Sequence, residues 1–127
     1  MLTTMNEIKL NTLMEAVAVS NGKKFTIYYQ TRFASNMIDA YAAYDGQDVM
    51  VKLGDYTRLT EIRALDMEDA WMKMQGEMWS PMGEARSIIR ELGLSHTSMS
   101  VGDLLQDEEG TFYIVAPVGF KKVRATV

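Results

Sequence analysis

The sequence predicts an α+β fold: a single compact domain over residues 1–127, with helices packed on a mainly antiparallel sheet ending in a three-strand meander. A chain of 127 residues has the length of one domain. Segments rich in β-branched and aromatic residues alternate with segments whose apolar residues recur at helical spacing. The last third holds three strand-like segments joined by short turns, which favours antiparallel pairing. Because two to four helices lie between strands, a parallel βαβ arrangement is the alternative.

The first half begins with a helix predicted over Asn6–Val19, which ends at Ser-Asn-Gly in residues 20–22 because Asn and Gly tolerate the left-handed conformation. Lys24–Gln30 is β-branched and aromatic, as strands are. Residues 31–45 are ambiguous, but their apolar spacing fits a short helix. Two further strands are predicted at Val49–Leu53 and Tyr56–Ala64.

The second half opens with a helix from Asp66, a good N-cap followed by acidic residues in the first turn, to about Trp79. A second helix is predicted from Pro81, whose missing N–H costs nothing at a helix start, to Gly93. The meander then comprises Val101–Leu105, Thr111–Ala116 and Phe120–Ala125. The predicted core includes Phe25, Ile27, Trp71, Met74, Ile88, Leu92, Ile114 and Phe120.

Composition excludes several classes of protein. The chain carries 13 Lys+Arg, 17 Asp+Glu and no cysteine, which rules out structural disulfides and cysteine metal sites. A net charge of -4 argues against a generic nucleic-acid binder. No apolar run approaches the ~20 residues that cross a bilayer, so no membrane association is predicted. The N-terminus has no basic segment followed by an apolar run, so we expect a cytoplasmic protein.

The helix predicted at residues 66–79 has two apolar sides. The first faces the core and consists of Met67, Ala70, Trp71, Met74 and Met78. Met72 and Trp79 lie seven residues apart on another side. A second apolar side predicts a protein-binding surface, because Met and Trp are favoured at adaptable interfaces, with Glu68 and Gln75 in its polar rim. The alternative is that a neighbouring helix or the sheet covers Met72 and Trp79 within the same chain.

A mixture of bases and aromatic residues surrounds the first predicted strand. It consists of Lys23, Lys24, Tyr28, Tyr29, Arg32 and Phe33. Proteins that bind single-stranded nucleic acid use such mixtures for phosphate contacts and base stacking, so a nucleic-acid-associated regulator is the alternative function. In an acidic chain, a sheet edge with solvated lysines at one end is the simpler interpretation.

The single histidine, His96, lies in a loop among serines. A metal site needs further ligands of fixed spacing, so no metal and no cofactor are predicted. A loop histidine of this kind is typically a surface residue. An enzyme with His96 and Asp103 beside a cleft is the third and weakest hypothesis. No catalytic residues are assigned, because the other carboxylates lie at helix starts and turns.

The stretch from His96 carries a recognisable motif. A Ser-x-Ser-Val-Gly-Asp run at residues 98–103 is followed by a short hairpin and a closing Gly119-Phe120. This pattern resembles the YodL-like domain of conjugative-element proteins, which is associated with antirestriction. Residues 66–81 are also similar to small phage proteins of unknown function. The resemblance covers about the last half of the chain and implies a phage or mobile-element origin, with no catalytic residues.

The motif also makes sense as structure. Ser98 and Ser100 can bond the local backbone, Gly102 permits a tight turn, and Asp103 can accept backbone N–H groups at the start of a strand. The favoured hypothesis is therefore a small accessory protein that binds a host or phage protein, such as a defence component. Self-association is a further option.

Overall fold

A computed structural model describes residues 4–127, apart from the side chain of Ala34. In this part of the chain, five helices and six strands follow one another. They are α1 (Thr4–Val17), β1 (Lys23–Gln30), α2 (Phe33–Tyr44), β2 (Met50–Lys52), β3 (Tyr56–Ala64), α3 (Met67–Lys73), α4 (Gly76–Trp79), α5 (Arg86–Glu91), β4 (Leu104–Gln106), β5 (Phe112–Val115) and β6 (Phe120–Thr126). The α+β class is confirmed, with one helix more than expected.

The strands form a six-stranded sheet in the order β2-β6-β5-β4-β1-β3. Strands β4, β5 and β6 pair antiparallel in sequence, which confirms the meander. β1 lies between β3 and β4 and is antiparallel to both. Parallel pairing, which the alternative βαβ arrangement required, occurs at one edge of the sheet, where the short β2 pairs with β6.

The sheet has an apolar core on each side. On one side, β1 contributes Phe25, Ile27 and Tyr29 to a cluster with residues of α1, α4 and α5. On the other side, Ala40 and Ala43 of α2 pack with residues of β4, β5 and β6. The alternation of side chains along each strand places successive residues on opposite faces, so both faces of β5 are used, as its sequence predicts.

The start of α3 follows the predicted capping. Asp66 accepts the backbone N–H of Asp69 at 2.8 Å. The Asp69 carboxylate in turn accepts the N–H of Leu65 at 2.8 Å and the ammonium of Lys73 at 2.9 Å. The Leu65 hydrogen bond, followed by that of Lys73, lowers the pKa of Asp69. These contacts fix the direction in which α3 leaves β3.

The single helix predicted from Asp66 to Trp79 is wrong, because the chain breaks at Gln75. Gln75 is extended (φ -77°, ψ 142°) and caps the separate helix α4. The break rotates the following turn, so Trp79 points inward and is 1 % exposed, whereas Trp71 is 36 % exposed. The Trp79 indole N–H donates to the backbone oxygens of Met74 and Thr97 at 3.1 and 3.2 Å. The expected environments of the two tryptophans are thus exchanged.

The next helix also begins later than predicted. α5 begins at Arg86, and Pro81 lies in a preceding turn. Ser80 holds that turn by accepting the N–H of Ala85 at 2.9 Å. Gly93 ends the helical segment with φ +72°, as its sequence position predicts.

Candidate protein-binding groove

A concave, mainly apolar groove of about 850 Å³ lies between the start of α3 and the turn that joins β5 to β6. We call it the α3 groove. Its apolar lining comprises Met67, Trp71, Met99, Val101, Val115, Ala116, Pro117, Val118 and Phe120. The turn is closed by a hydrogen bond from the N–H of Ala116 to the oxygen of Gly119 at 3.0 Å. Both walls therefore belong to ordered elements, and such pre-formed apolar concavities are typical binding sites.

Trp71 is on the wall of this groove because it lies on α3 between residues that face the core and residues that face solvent. Ala70 and Met74 are completely buried, and a helix rotates about 100° per residue. Trp71 is consequently left at the boundary between core and solvent. Across the groove, Val118 is exposed at the tip of the β5–β6 turn. A partly exposed Trp beside an apolar concavity is a typical anchor point in protein recognition.

The charged residues at the groove are acidic. Asp66 and Glu68 contribute to the lining, which contains no Lys or Arg. Asp66 is engaged as the helix cap. Glu68 is exposed, and within residues 4–127 it forms no ion pair. The rim therefore favours a partner with positive charge next to its apolar side chains.

The residues predicted for protein binding lie in different environments. Glu68 lines the α3 groove, whereas Met72, the neighbour of Trp71 in sequence, is 50 % exposed and is not among the lining residues. Gln75 is not a free rim residue, because its amide donates to the oxygens of Trp71 and Met99 at 3.0 and 3.1 Å. Trp79 is buried, so the expectation that it is exposed is wrong. Trp71, which was predicted to lie in the core, is instead the more exposed of the two tryptophans. Gly76, a poor helix former, was the sequence signal for the break.

A second polar cluster surrounds Asp103, which is fully buried. The Nε2 atom of His96 lies 2.9 and 3.2 Å from its two carboxylate oxygens. The carboxylate also accepts the N–H groups of Gln30 and Ser100 at 2.9 and 2.8 Å. The role of Asp103 as a backbone acceptor is thereby confirmed. His96, in contrast, is mostly buried rather than a surface residue, because Asp103 pairs with it.

Tyr29 forms the floor of this cluster. Its ring stacks on His96 with centroids 4.6 Å apart, and its hydroxyl donates to the oxygen of Thr97 at 2.6 Å. Burial, reinforced by the charge of Asp103, raises the pKa of the Tyr29 hydroxyl well above its ordinary value. The hydroxyl is thus a fixed neutral donor.

A histidine paired with a carboxylate is the core of many general-base sites. The hydroxyl of Ser95 lies 3.5 Å from the histidine Nδ1. The α3 groove is not lined by His96. Among residues 4–127, no three metal-ligating side chains converge. The contacts of Asp103 with Gln30 and Ser100 fasten the loop before β4 to β1.

The residues of the nucleic-acid alternative do not share one surface. β1 is an inner strand, so the expected sheet edge is wrong. Tyr29 is buried, and the Tyr28 ring packs against Phe112 with centroids 5.6 Å apart. Lys23 and Lys24 lie at one end of β1, whereas Arg32 and Phe33 follow the other end, about 26 Å away at 3.3 Å per residue. Lys24 pairs with Glu61 and Arg32 with Asp55.

Within the described residues, no helix has the length and apolar character needed to cross a membrane. Comparison with known proteins gives no relative for this chain: no family model, no curated protein and no solved structure matches it.

Proposed function

We propose that this protein acts by binding another protein through the α3 groove. The observation that carries the proposal is the position of Trp71 on the wall of an apolar groove of about 850 Å³ with an acidic rim. A volume of this size admits a few side chains. The occupant is a partner segment that places apolar side chains in the groove and a Lys or Arg beside Glu68.

The resemblance of the C-terminal motif to mobile-element proteins directs the search for the natural partner. On that basis the partner is a host or phage protein, such as a component of a defence system, and the encounter takes place in the host cytoplasm. The protein itself contributes binding rather than catalysis.

The proposal is tested by selecting binders from a random displayed-peptide library on the immobilised, full-length protein. The enriched peptides should combine aromatic or aliphatic residues with Lys or Arg, because the groove is apolar and its rim is acidic. Synthetic copies of the enriched peptides then serve as the probes for fluorescence anisotropy in solution.

Substitutions in the groove should weaken binding of these peptides. Trp71→Ala and Val118→Asp should each reduce affinity by about tenfold or more, while leaving the far-UV circular dichroism spectrum unchanged. Glu68→Lys should weaken binding of the basic peptides and, in a new selection, favour acidic ones. Ile8→Asp is the control, because Ile8 is exposed on α1 away from the groove.

Two outcomes would contradict the proposal. One is a selection that enriches no common pattern. The other is enriched peptides whose affinity is the same for wild type, Trp71→Ala and Val118→Asp, since the binding site would then lie elsewhere.

A further inference from the structure

Part of the α3 groove is formed by the Ser-x-Ser-Val-Gly-Asp motif of residues 98–103. Met99, Ser100 and Val101, in the middle of this motif, line the groove. The Ser100 N–H donates to the buried Asp103 at 2.8 Å, and the Met99 N–H donates to the oxygen of Met74 at 3.1 Å. The motif is therefore held against the C-terminal end of α3, where Met74 lies.

The break between α3 and α4 enables this attachment. In a continuous α-helix, the N–H of Gly76 would donate to the oxygen of Met72, four residues earlier. Here the Gly76 N–H donates to the Ser98 hydroxyl at 2.8 Å, and the Met72 oxygen accepts the N–H of Gln75 at 3.2 Å. The interrupted helix thus releases a backbone donor that the motif uses.

Gln75, at the break, joins the motif to α3 through its side chain. Its amide nitrogen Nε2 lies 3.0 Å from the oxygen of Trp71 and 3.1 Å from the oxygen of Met99. Because a carbonyl oxygen can only accept a hydrogen bond, the two N–H groups of this one amide are directed at the backbone of both residues. Trp71 and Met99 both line the groove, whereas Gln75 is partly exposed and is not a lining residue.

We infer that Gln75 is a positioning residue of the α3 groove: its amide holds the backbone of Trp71 and that of Met99 at a fixed separation, and so sets the width of the groove before a partner binds. This inference rests on the proposed function of the groove. A site that is already held in its bound shape loses less conformational freedom on binding, so its affinity is higher. Loss of the amide donors should therefore lower the affinity for peptide without removing any residue that lines the groove.

The test compares two charged variants of Gln75, using the peptides selected on the wild-type protein. Gln75→Glu keeps the length of the side chain but replaces the donor by a carboxylate, which repels both carbonyl oxygens. Gln75→Lys supplies an ammonium group with three N–H donors. In fluorescence anisotropy, Gln75→Glu should weaken binding by about fivefold or more, and Gln75→Lys should bind more tightly than Gln75→Glu. Surface charge alone predicts the opposite order, because the selected peptides carry Lys or Arg.

Two further variants separate positioning from folding and from net charge. Gln75→Ala removes the amide without adding a charge and should also weaken binding, so the test does not depend on the folding of Gln75→Glu. Gln47→Glu is the matched control, because Gln47 is exposed, follows α2 and does not line the groove. It should bind the peptides with wild-type affinity.

A double-mutant cycle with the tightest-binding peptide tests whether Gln75 acts through Trp71. Gln75→Ala should reduce affinity by a smaller factor in a Trp71→Ala background than in the wild type, because the anchor that the amide positions is then missing. A general structural role of Gln75 would reduce affinity by the same factor in both backgrounds.

The outcomes separate this inference from the proposed function, for variants that are folded by circular dichroism. Wild-type affinity in both Gln75→Glu and Gln75→Ala would overturn the inference alone, if Trp71→Ala and Val118→Asp still weaken binding. The same holds if Gln75→Lys binds no more tightly than Gln75→Glu, or if the two backgrounds of the cycle show equal losses. If Trp71→Ala and Val118→Asp leave the affinity unchanged, the proposed function fails and the inference fails with it.

Discussion

At the scale of single residues, Asp103 connects parts of the chain that are distant in sequence. Its carboxylate is completely buried and would be costly to desolvate without partners. It accepts hydrogen bonds from β1 at Gln30, from the preceding loop at Ser100 and from His96. Three donors in fixed positions therefore satisfy this buried carboxyl group.

Asp103→Ala should lower the free energy of unfolding by about 3–5 kcal/mol, because it leaves His96 and two backbone N–H groups without their acceptor. His96→Ala should cost less, about 1–2 kcal/mol, since both backbone donors keep their acceptor. Urea denaturation of the two variants measures this difference. Equal losses would show that the hydrogen bond with His96, rather than the backbone anchoring, gives Asp103 its role.

At the scale of elements, the start of α3 is held by a charge whose effect depends on pH. The pKa of Asp69 is lowered in the folded protein, first by the Leu65 N–H and then by Lys73. A folded pKa below the unfolded one means that the stabilisation is present above the unfolded pKa, near 3.9. It is lost as the pH falls through the folded pKa.

Asp69→Asn should therefore lower the free energy of unfolding at pH 7 by about 1 kcal/mol and by progressively less toward pH 3. Asp39→Asn is an informative control on α2, because burial, followed by the charge of Asp55, raises the pKa of Asp39. That substitution should stabilise the protein at pH 7. Urea denaturation at pH 7 and pH 3 measures the change in the free energy of unfolding that each substitution causes. A change that varies with pH in the same direction for both variants would contradict the prediction.

The same segment shows how far local sequence pattern predicts structure. The capping at Asp66 is a local property, and it was predicted correctly. The break at Gln75 depends on contacts from a distant loop: the N–H of Gly76 donates to the Ser98 hydroxyl at 2.8 Å, and the Gln75 amide reaches Met99. Helical periodicity reflects the local sequence, so it could not predict these contacts with a distant loop. Trp71 and Trp79 were therefore assigned to the wrong sides of the helix.

Gly102 is a case in which the local pattern was sufficient. Its φ of +98° is in the region that favours glycine, as the turn assigned to it predicts. A Cβ at Gly102 would also lie 2.7 Å from the side-chain oxygen of Gln30. The crowding is a tertiary effect that the sequence does not display.

At the scale of the whole molecule, the meander was predictable because its strands are adjacent in sequence. The insertion of β1 between β3 and β4 and the parallel contact of β2 with β6 were not, since both join segments far apart in the chain. The α3 groove has the same origin. It appears only when Trp71 and Val118, which are distant in sequence, meet at one end of the sheet.

The α3 groove and helix α2 lie on opposite sides of this sheet. Val115 and Phe120, which line the groove, belong to the core on the side of α1, α4 and α5. α2 packs on the other side, against Leu104, Ile114 and Val123. Helix α2 contributes no residue to the groove, so we expect a substitution on the exposed side of α2 to leave peptide binding unchanged.

This separation predicts a contrast between two exposed positions. Ile38→Asp, on the exposed side of α2, should bind the selected peptides with wild-type affinity, whereas Val118→Asp, in the groove, should bind them about tenfold more weakly or worse. Fluorescence anisotropy with the same peptides measures both affinities. If Ile38→Asp lost affinity as well, while remaining folded by circular dichroism, the groove would be coupled to α2 through the sheet.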